Sequence, residues 1–257
     1  MIDVTDFCKA YDSTIAVAHL SFHVEPGQVL GLVGPNGAGK TTTLRALAGI
    51  IPASCGELRI ADLDLEIDPI EVKQRTAYVP DDPQLFHDLT VEQHLAFTGC
   101  VYGVDQPIEK ITHLLNAFDL EAKRHTKAAD LSRGMRQKLA ICCAYIHEPQ
   151  ALLLDEPMTG LDPRGIRVLK QSIAEHAEKG TAVIISSHLL AMVEDICTHV
   201  LIMDVGRRRF SGTIEDLRST FAGKPDETLE DIFFQAIESD TPSLELSQHA
   251  MAGEPCS

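Results

Sequence analysis

The feature that most constrains this chain is a glycine-rich run placed directly after a short apolar one. Residues 29–33 read VLGLV and residues 34–41 read GPNGAGKT. The first has the length and composition of a buried strand. The second has the spacing G-x-x-x-x-G-K-T, in which glycines let successive main-chain N–H groups turn inward and a lysine adds a point charge. From Lys40 to Ala48 the pattern is helical, with Leu44, Leu47 and Ala48 toward a core and Gly49 and Pro52 ending it. Strand, glycine turn and helix start, in that order, make a cradle for phosphate, because the uncompensated N–H groups and the helix dipole both favour an anion. Gly34, Pro35, Asn36, Gly37, Ala38, Gly39, Lys40, Thr41 and Thr42 are therefore candidate nucleotide-binding residues. Lys40 is expected at the β- and γ-phosphates and the Thr41 hydroxyl at Mg2+.

A metal-bound triphosphate also needs a carboxylate. Residues 151–156, ALLLDE, carry four apolar strand residues and then two acids at the strand's C-terminal edge, where α/β sheets place their ligands. Asp155 is read as binding Mg2+ through water, and Glu156 as the general base for an attacking water. The plain alternative for Asp155 is a turn or helix-cap residue.

Along the rest of the chain, the first thirty residues alternate and carry turn residues, as short antiparallel strands do. Further strands are expected at 77–79, 151–154, 182–186 and 200–203. Helical patterns run from about 90 to 120, from Ser132 as N-cap to His147, from Pro163 to about Glu178, and from Leu189 to Ile196. Strands alternating with helices predict an α/β fold with a mainly parallel sheet. The helical stretch from about 82 to 150 interrupts that alternation and reads as an inserted subdomain. The main domain is expected over 1–215, a helical extension over 216–240, and a disordered tail over 241–257, where periodicity is lost.

Composition removes several functions. The formal net charge is −16, and residues 213–257 hold ten acids against Arg218 and Lys224. Such a chain repels polyphosphate backbones, so nucleic acid is not an expected partner. Arg207, Arg208 and Arg209 could touch anionic lipid; a solvated hairpin is the simpler reading. No apolar run reaches the roughly 18 residues that span a bilayer. MIDVTDF at the start is acidic and unlike a signal peptide. Seven cysteines without a CxxC pair read as reduced thiols, with no zinc or redox role for Cys142 and Cys143.

Over residues 2–215 the chain resembles the nucleotide-binding domain of ABC transporters. The resemblance rests on GPNGAGKTT at 34–42, LSRGM at 131–135, LLLDEP at 152–157, GLD at 160–162 and SSH at 186–188. It implies a P-loop NTPase core with an N-terminal antiparallel β subdomain and an inserted α-helical subdomain. ATP and Mg2+ are the implied cofactors. LSRGM is similar to the family's LSGGQ signature, so Ser132 and the N–H of Gly134 are implied donors to ATP held by a second subunit. Two such subunits, a homodimer here, would close head to tail around two nucleotides. His188 is implied at the γ-phosphate, Asp162 at the dimer interface, and Tyr11 against adenine, unless Tyr11 is a surface strand tyrosine.

Two motifs depart from the family pattern. Arg133 and Met135 replace glycine and glutamine in the signature, a form similar to that of bacterial ABC-2 type exporters. Asp81 in YVPDDPQLF replaces the Q-loop glutamine. Asp81 could reach Mg2+ through water, and Gln84 could stand in for the missing amide. The resemblance implies a separate transmembrane permease docked near residues 82–105, with Leu85 and Phe86 as expected exposed anchors, and a peripheral place on the cytoplasmic face of the membrane. Two other readings stay open: a soluble switch ATPase of the same superfamily, and a nucleotide-binding regulatory module that does not hydrolyse.

Overall fold

The computed structural model describes residues 1–188, 190–222 and 227–238. The alternating start of the chain forms two antiparallel strands, β1 (Ile2–Tyr11) and β2 (Thr14–Val24). VLGLV forms β3 (Val29–Val33), and α1 (Lys40–Leu47) follows the glycine loop. The next segment adds β4 (Cys55–Ile60), β5 (Leu63–Asp64), α2 (Pro69–Arg75) and β6 (Thr76–Val79). Three helices then intervene, α3 (Val91–Val101), α4 (Pro107–Ala117) and α5 (Arg133–Tyr145), before β7 (Ala151–Asp155). The chain continues through α6 (Pro163–Glu178), β8 (Ala182–Ser187), α7 (Leu190–Ile196), β9 (His199–Asp204), β10 (Arg207–Thr213), α8 (Ile214–Phe221) and α9 (Leu229–Glu238).

Two sheets result. One is antiparallel, in the order β2-β1-β4-β5; the other has the order β10-β9-β3-β8-β7-β6, with only the edge strand β10 antiparallel. The apolar runs explain the second sheet. β3, β7 and β8 are buried at every residue, as strands covered on both faces must be. The period of two divides them between two cores. Ala151, Leu153 and Ile184 pack toward α1 and the antiparallel sheet, whereas Leu152, Leu154 and Ile185 pack under the helices that include Leu139, Leu169 and Val193. Leu44 and Leu47 of α1 are fully buried. Each such side chain contributes on the order of 1.5–3 kcal/mol, so the helix that follows the glycine loop is fixed from both sides.

Local chemistry corrects several boundaries. The helical pattern over 90–120 is two helices: Gly103 and Gln106 both take positive φ (64° and 48°), and Pro107 starts the second helix. Residues 55–75 contain β4, β5 and α2, which the periodicity did not reveal. The arginine cluster lies in the β9–β10 hairpin, where Arg208 donates to the Ser21 carbonyl and Arg209 pairs with Asp204. Leu229, Ile232, Phe233 and Ala236 of α9 are buried with the main core, so the EDIFFQAIE segment docks on its own domain. Leu189, residues 239–240 and the tail 241–257 with Cys256 lie outside the described residues.

Two histidines make stability pH-dependent. His147 stacks on Tyr102 with ring centroids 3.8 Å apart, and His176 bonds through Nδ1 to the Ser172 carbonyl at 2.8 Å. Burial pushes both imidazoles below their ordinary value. The unfolded chain therefore takes up protons that the fold does not, and stability is lost as the pH falls through the ordinary histidine value. Urea midpoints should drop between about pH 7.5 and pH 5.5, and His147→Phe, which keeps the stack without the titration, should shrink that drop.

Candidate active site

The glycine loop is shaped by close backbone approach. Gly39, the residue before α1, has φ of 99°, and a Cβ there would lie 2.7 Å from the Ala16 carbonyl oxygen. α1 begins with no side-chain cap, so the donors of its first turn have no side-chain acceptor. Lys40 Nζ donates to the Gly34 and Pro35 carbonyls at 2.6 and 3.1 Å, which folds the ammonium over the loop. Burial pushes that ammonium below its ordinary value, and the charges of Glu156 and Asp155 oppose the shift. An uncapped helix start with one buried cation fits a polyphosphate.

Asp155, at the end of β7, is 2% exposed. Its carboxylate is held by hydroxyls from three elements. Oδ1 accepts from Ser186 at 2.6 Å and from Thr41 at 3.2 Å, and Oδ2 accepts from Tyr78 at 3.3 Å. A buried charge needs such partners. The Thr41 hydroxyl and this carboxylate are adjacent hard oxygen donors, which suits Mg2+. Among the described residues no group of three His, Cys, Asp or Glu could hold a metal by itself. Mg2+ would therefore depend on oxygens of a bound nucleotide, as this ion commonly does.

Glu156 follows in the left-handed region, with φ of 47°. Its N–H is shared between the Ser186 hydroxyl and carbonyl at 3.0 and 3.2 Å, which holds the strained backbone. Its Oε2 accepts from His188 Nδ1 at 2.9 Å. The two candidate catalytic residues thus form one pair, and both line a cavity of about 300 Å3 whose other walls are mostly apolar, Met158, Ile166 and Met192 among them.

The start of α5 lies elsewhere. Ser132 caps it by accepting from the Met135 N–H at 3.3 Å. A Cβ on Gly134 would come within 2.5 Å of the Gly160 carbonyl oxygen, so only glycine lets this helix approach the 160–162 loop. Asp162 caps α6 through Gly165 N–H at 3.0 Å and has Lys138 at 3.5 Å. The Gly165 amide, with Lys138, holds its carboxyl below the usual range. Arg136 is turned inward to the Leu131 carbonyl at 2.8 Å. Among the described residues, no hydrogen bond or ion pair joins residues 131–136 to residues 34–42.

The chain matches the family model for the ABC transporter over residues 17–159. It belongs to the ABC transporter family. It is 33% identical over 242 residues to the ABC-type transporter ATP-binding protein EcsA of Bacillus subtilis (strain 168), covering 93% of this chain and 98% of that protein. It is 34% identical over 241 residues to the probable multidrug ABC transporter ATP-binding protein YbhF of Escherichia coli (strain K12), covering 92% of this chain but 42% of YbhF. A solved ATP-binding subunit of an ABC transporter superposes with a TM-score of 0.88 at 32% identity, over 93% of this chain and all of that one. This chain is accordingly an ATP-binding subunit of an ABC transporter, and an ATPase.

In this ABC ATPase the two departures from the family pattern meet each other. Asp81 Oδ1 lies 3.5 Å from Arg133 Nη2, and Arg133 packs along Gly160. Asp81, expected near the metal, is paired with the signature arginine and makes no hydrogen bond to Thr41 or Asp155 among the described residues. Gln84, a possible substitute for the Q-loop amide, is folded onto Asp82. Tyr11 is 46% exposed at the end of β1, with Lys9 Nζ 5.0 Å from its ring centroid. Sequence reasoning missed Tyr78 and the double role of Ser186, because both depend on strand register. Ser186→Ala removes a donor to a buried carboxylate and an acceptor for a strained amide. Chemical denaturation should register a loss of about 1–3 kcal/mol.

Proposed function

We propose that this chain is the ATP-hydrolysing subunit of a two-component exporter, in which two copies close head to tail around two MgATP and drive a separate transmembrane permease. One observation carries the reading: Lys40, Thr41, Asp155, Glu156 and His188 converge at the ends of β3, β7 and β8, while Gly134 lies against the 160–162 loop and Ser132 caps the same helix, with no hydrogen bond to the phosphate loop among the described residues. A site divided this way is completed by the opposite surface of a second copy.

The loop amides of residues 34–42 and the Lys40 ammonium bind the phosphates, and Thr41 and Asp155 hold Mg2+, which supplies charge neutralisation when bound. Tyr11 stacks on adenine. Glu156 accepts a proton from the attacking water, and the His188 Nδ1–H keeps that carboxylate oriented. The Ser132 oxygen already accepts from Met135, which leaves its O–H to donate to the partner's nucleotide alongside the Gly134 N–H. Asp162 stands at the interface. The intact Glu156–His188 pair argues against a module that binds without hydrolysis.

The permease docks on the helical face. Phe86 and Phe97 are 59% and 50% exposed and meet edge to face at 5.7 Å, an apolar patch of the kind that marks a partner site. Leu85, expected as an anchor, is half-buried against the core, and Phe97 takes its place. No helix among the described residues is long and apolar enough to cross a membrane. We read the chain as a peripheral subunit on the cytoplasmic face. The SRGM form of the signature supports export. The domain is read as 1–215, with α3–α5 inserted and 216–240 as its extension.

Glu156→Gln tests the proposal. With MgATP it should bind nucleotide, turn over about 10²–10⁴-fold more slowly, and run as a dimer in light scattering. A variant that stays monomeric with ATP bound would overturn the shared site. Lys40→Ala should lose nucleotide binding, read by titration calorimetry.

A further inference from the structure

Away from the nucleotide site, the antiparallel sheet brings two thiols together. Cys8 of β1 and Cys55 of β4 stand directly opposite each other in the antiparallel register, so their side chains leave the same face. Residues opposed in this way have Cα atoms about 4.5–5.5 Å apart, within the span that a disulfide bridges. The local chain tightens the approach. Asp6 sits in a bulge of β1 with φ of 51°, and a Cβ on Gly56 would lie 2.3 Å from its carbonyl oxygen, so only glycine lets β4 come this close. Both sulfurs converge on that one carbonyl, Cys8 Sγ at 3.7 Å and Cys55 Sγ at 3.9 Å. Cys8 Sγ also accepts from the main-chain N–H of His19 at 3.4 Å and has His19 Nδ1 at 3.8 Å, in a ring paired with Asp6 at 2.7 Å. Cys8 is half-buried and Cys55 exposed, so a small reagent reaches both. Cys142 and Cys197 are different: burial pushes their thiols up, the latter to about 12, and keeps them inert.

We propose that Cys8 and Cys55 are an oxidative modification site: hydrogen peroxide closes them into a reversible disulfide within the chain, which clips β1 to β4. The Cys8 sulfur attacks one peroxide oxygen, the O–O bond breaks, and a sulfenic acid and one water result. The Cys55 sulfur then attacks the Cys8 sulfur. The S–S bond forms, the S–O bond breaks, and the hydroxyl leaves with the remaining thiol proton as a second water. The two thiols lose two electrons and the peroxide gains them; a dithiol reductant reverses the closure by exchange. The bridge encloses residues 9–54, which include β2, β3, the phosphate loop and α1. A cross-link between residues already opposed in the sheet restricts the unfolded chain and leaves the folded register as it is. Oxidation therefore stabilises the part of the chain that carries the phosphate loop, whether or not a second copy or a membrane partner is present.

The test treats the full chain with hydrogen peroxide, blocks the remaining thiols with iodoacetamide, and maps peptides by mass without reductant. One linked pair should appear, carrying Cys8 and Cys55, two hydrogens lighter than the separate peptides and released by dithiothreitol. The urea midpoint of the oxidised chain should rise by about 1 M and return on reduction. Cys55→Ser, at an exposed position, and Cys8→Ser should show neither the link nor the rise under the same treatment. Thiols that stay unlinked, sulfinic or sulfonic acid on Cys8 in place of a link, or a link that joins two chains or another cysteine would overturn the site. A Cys8–Cys55 link that leaves the midpoint unchanged or lowers it would overturn the stabilising clip.

Discussion

The structure turns on a single buried carboxylate. Asp155 ends β7 in an almost fully buried position, and its charge is tolerated because hydroxyls from α1, β6 and β8 converge on it. Each of those elements is placed by the apolar packing of its own strand or helix. The carboxylate records their relative positions. Ser186 then passes the constraint on, since the same hydroxyl accepts the Glu156 N–H and helps hold that residue at positive φ. A strained general-base candidate is affordable only where the surroundings over-determine it.

What could be read from the chain alone was whatever is local. The glycine loop, the buried runs at 29–33, 151–154 and 182–186, and the Ser132 cap are contiguous patterns, and the structure has them where they were expected. What escaped depends on register or on distant packing. Ser186 lies opposite Asp155 and Tyr78 opposite Leu153 only because β6, β7 and β8 pair as they do. The break between α3 and α4 needs Gln106 in a left-handed conformation, which glutamine does not advertise. The pairing of Asp81 with Arg133 joins residues 52 positions apart. Each looked like an isolated departure, and their meeting is visible only in three dimensions.

The separation of the phosphate loop from the start of α5 has an energetic logic. An uncapped helix start with a buried ammonium attracts an anion, and a serine-capped start beside glycine offers donors to one. In the proposed assembly the two serve the same anion when two copies meet. Nucleotide then contributes binding energy to association, so occupancy and dimerisation are linked by mass action. The exposed Phe86–Phe97 pair lies in α3 and the loop before it.

The most direct test of this divided site is the turnover rate per chain, measured against chain concentration at saturating MgATP. A site completed by a second copy predicts a rate per chain that climbs with concentration at the dilute end and levels off once dimers dominate. A rate per chain that is flat across the range, from protein that remains monomeric in light scattering, would contradict it.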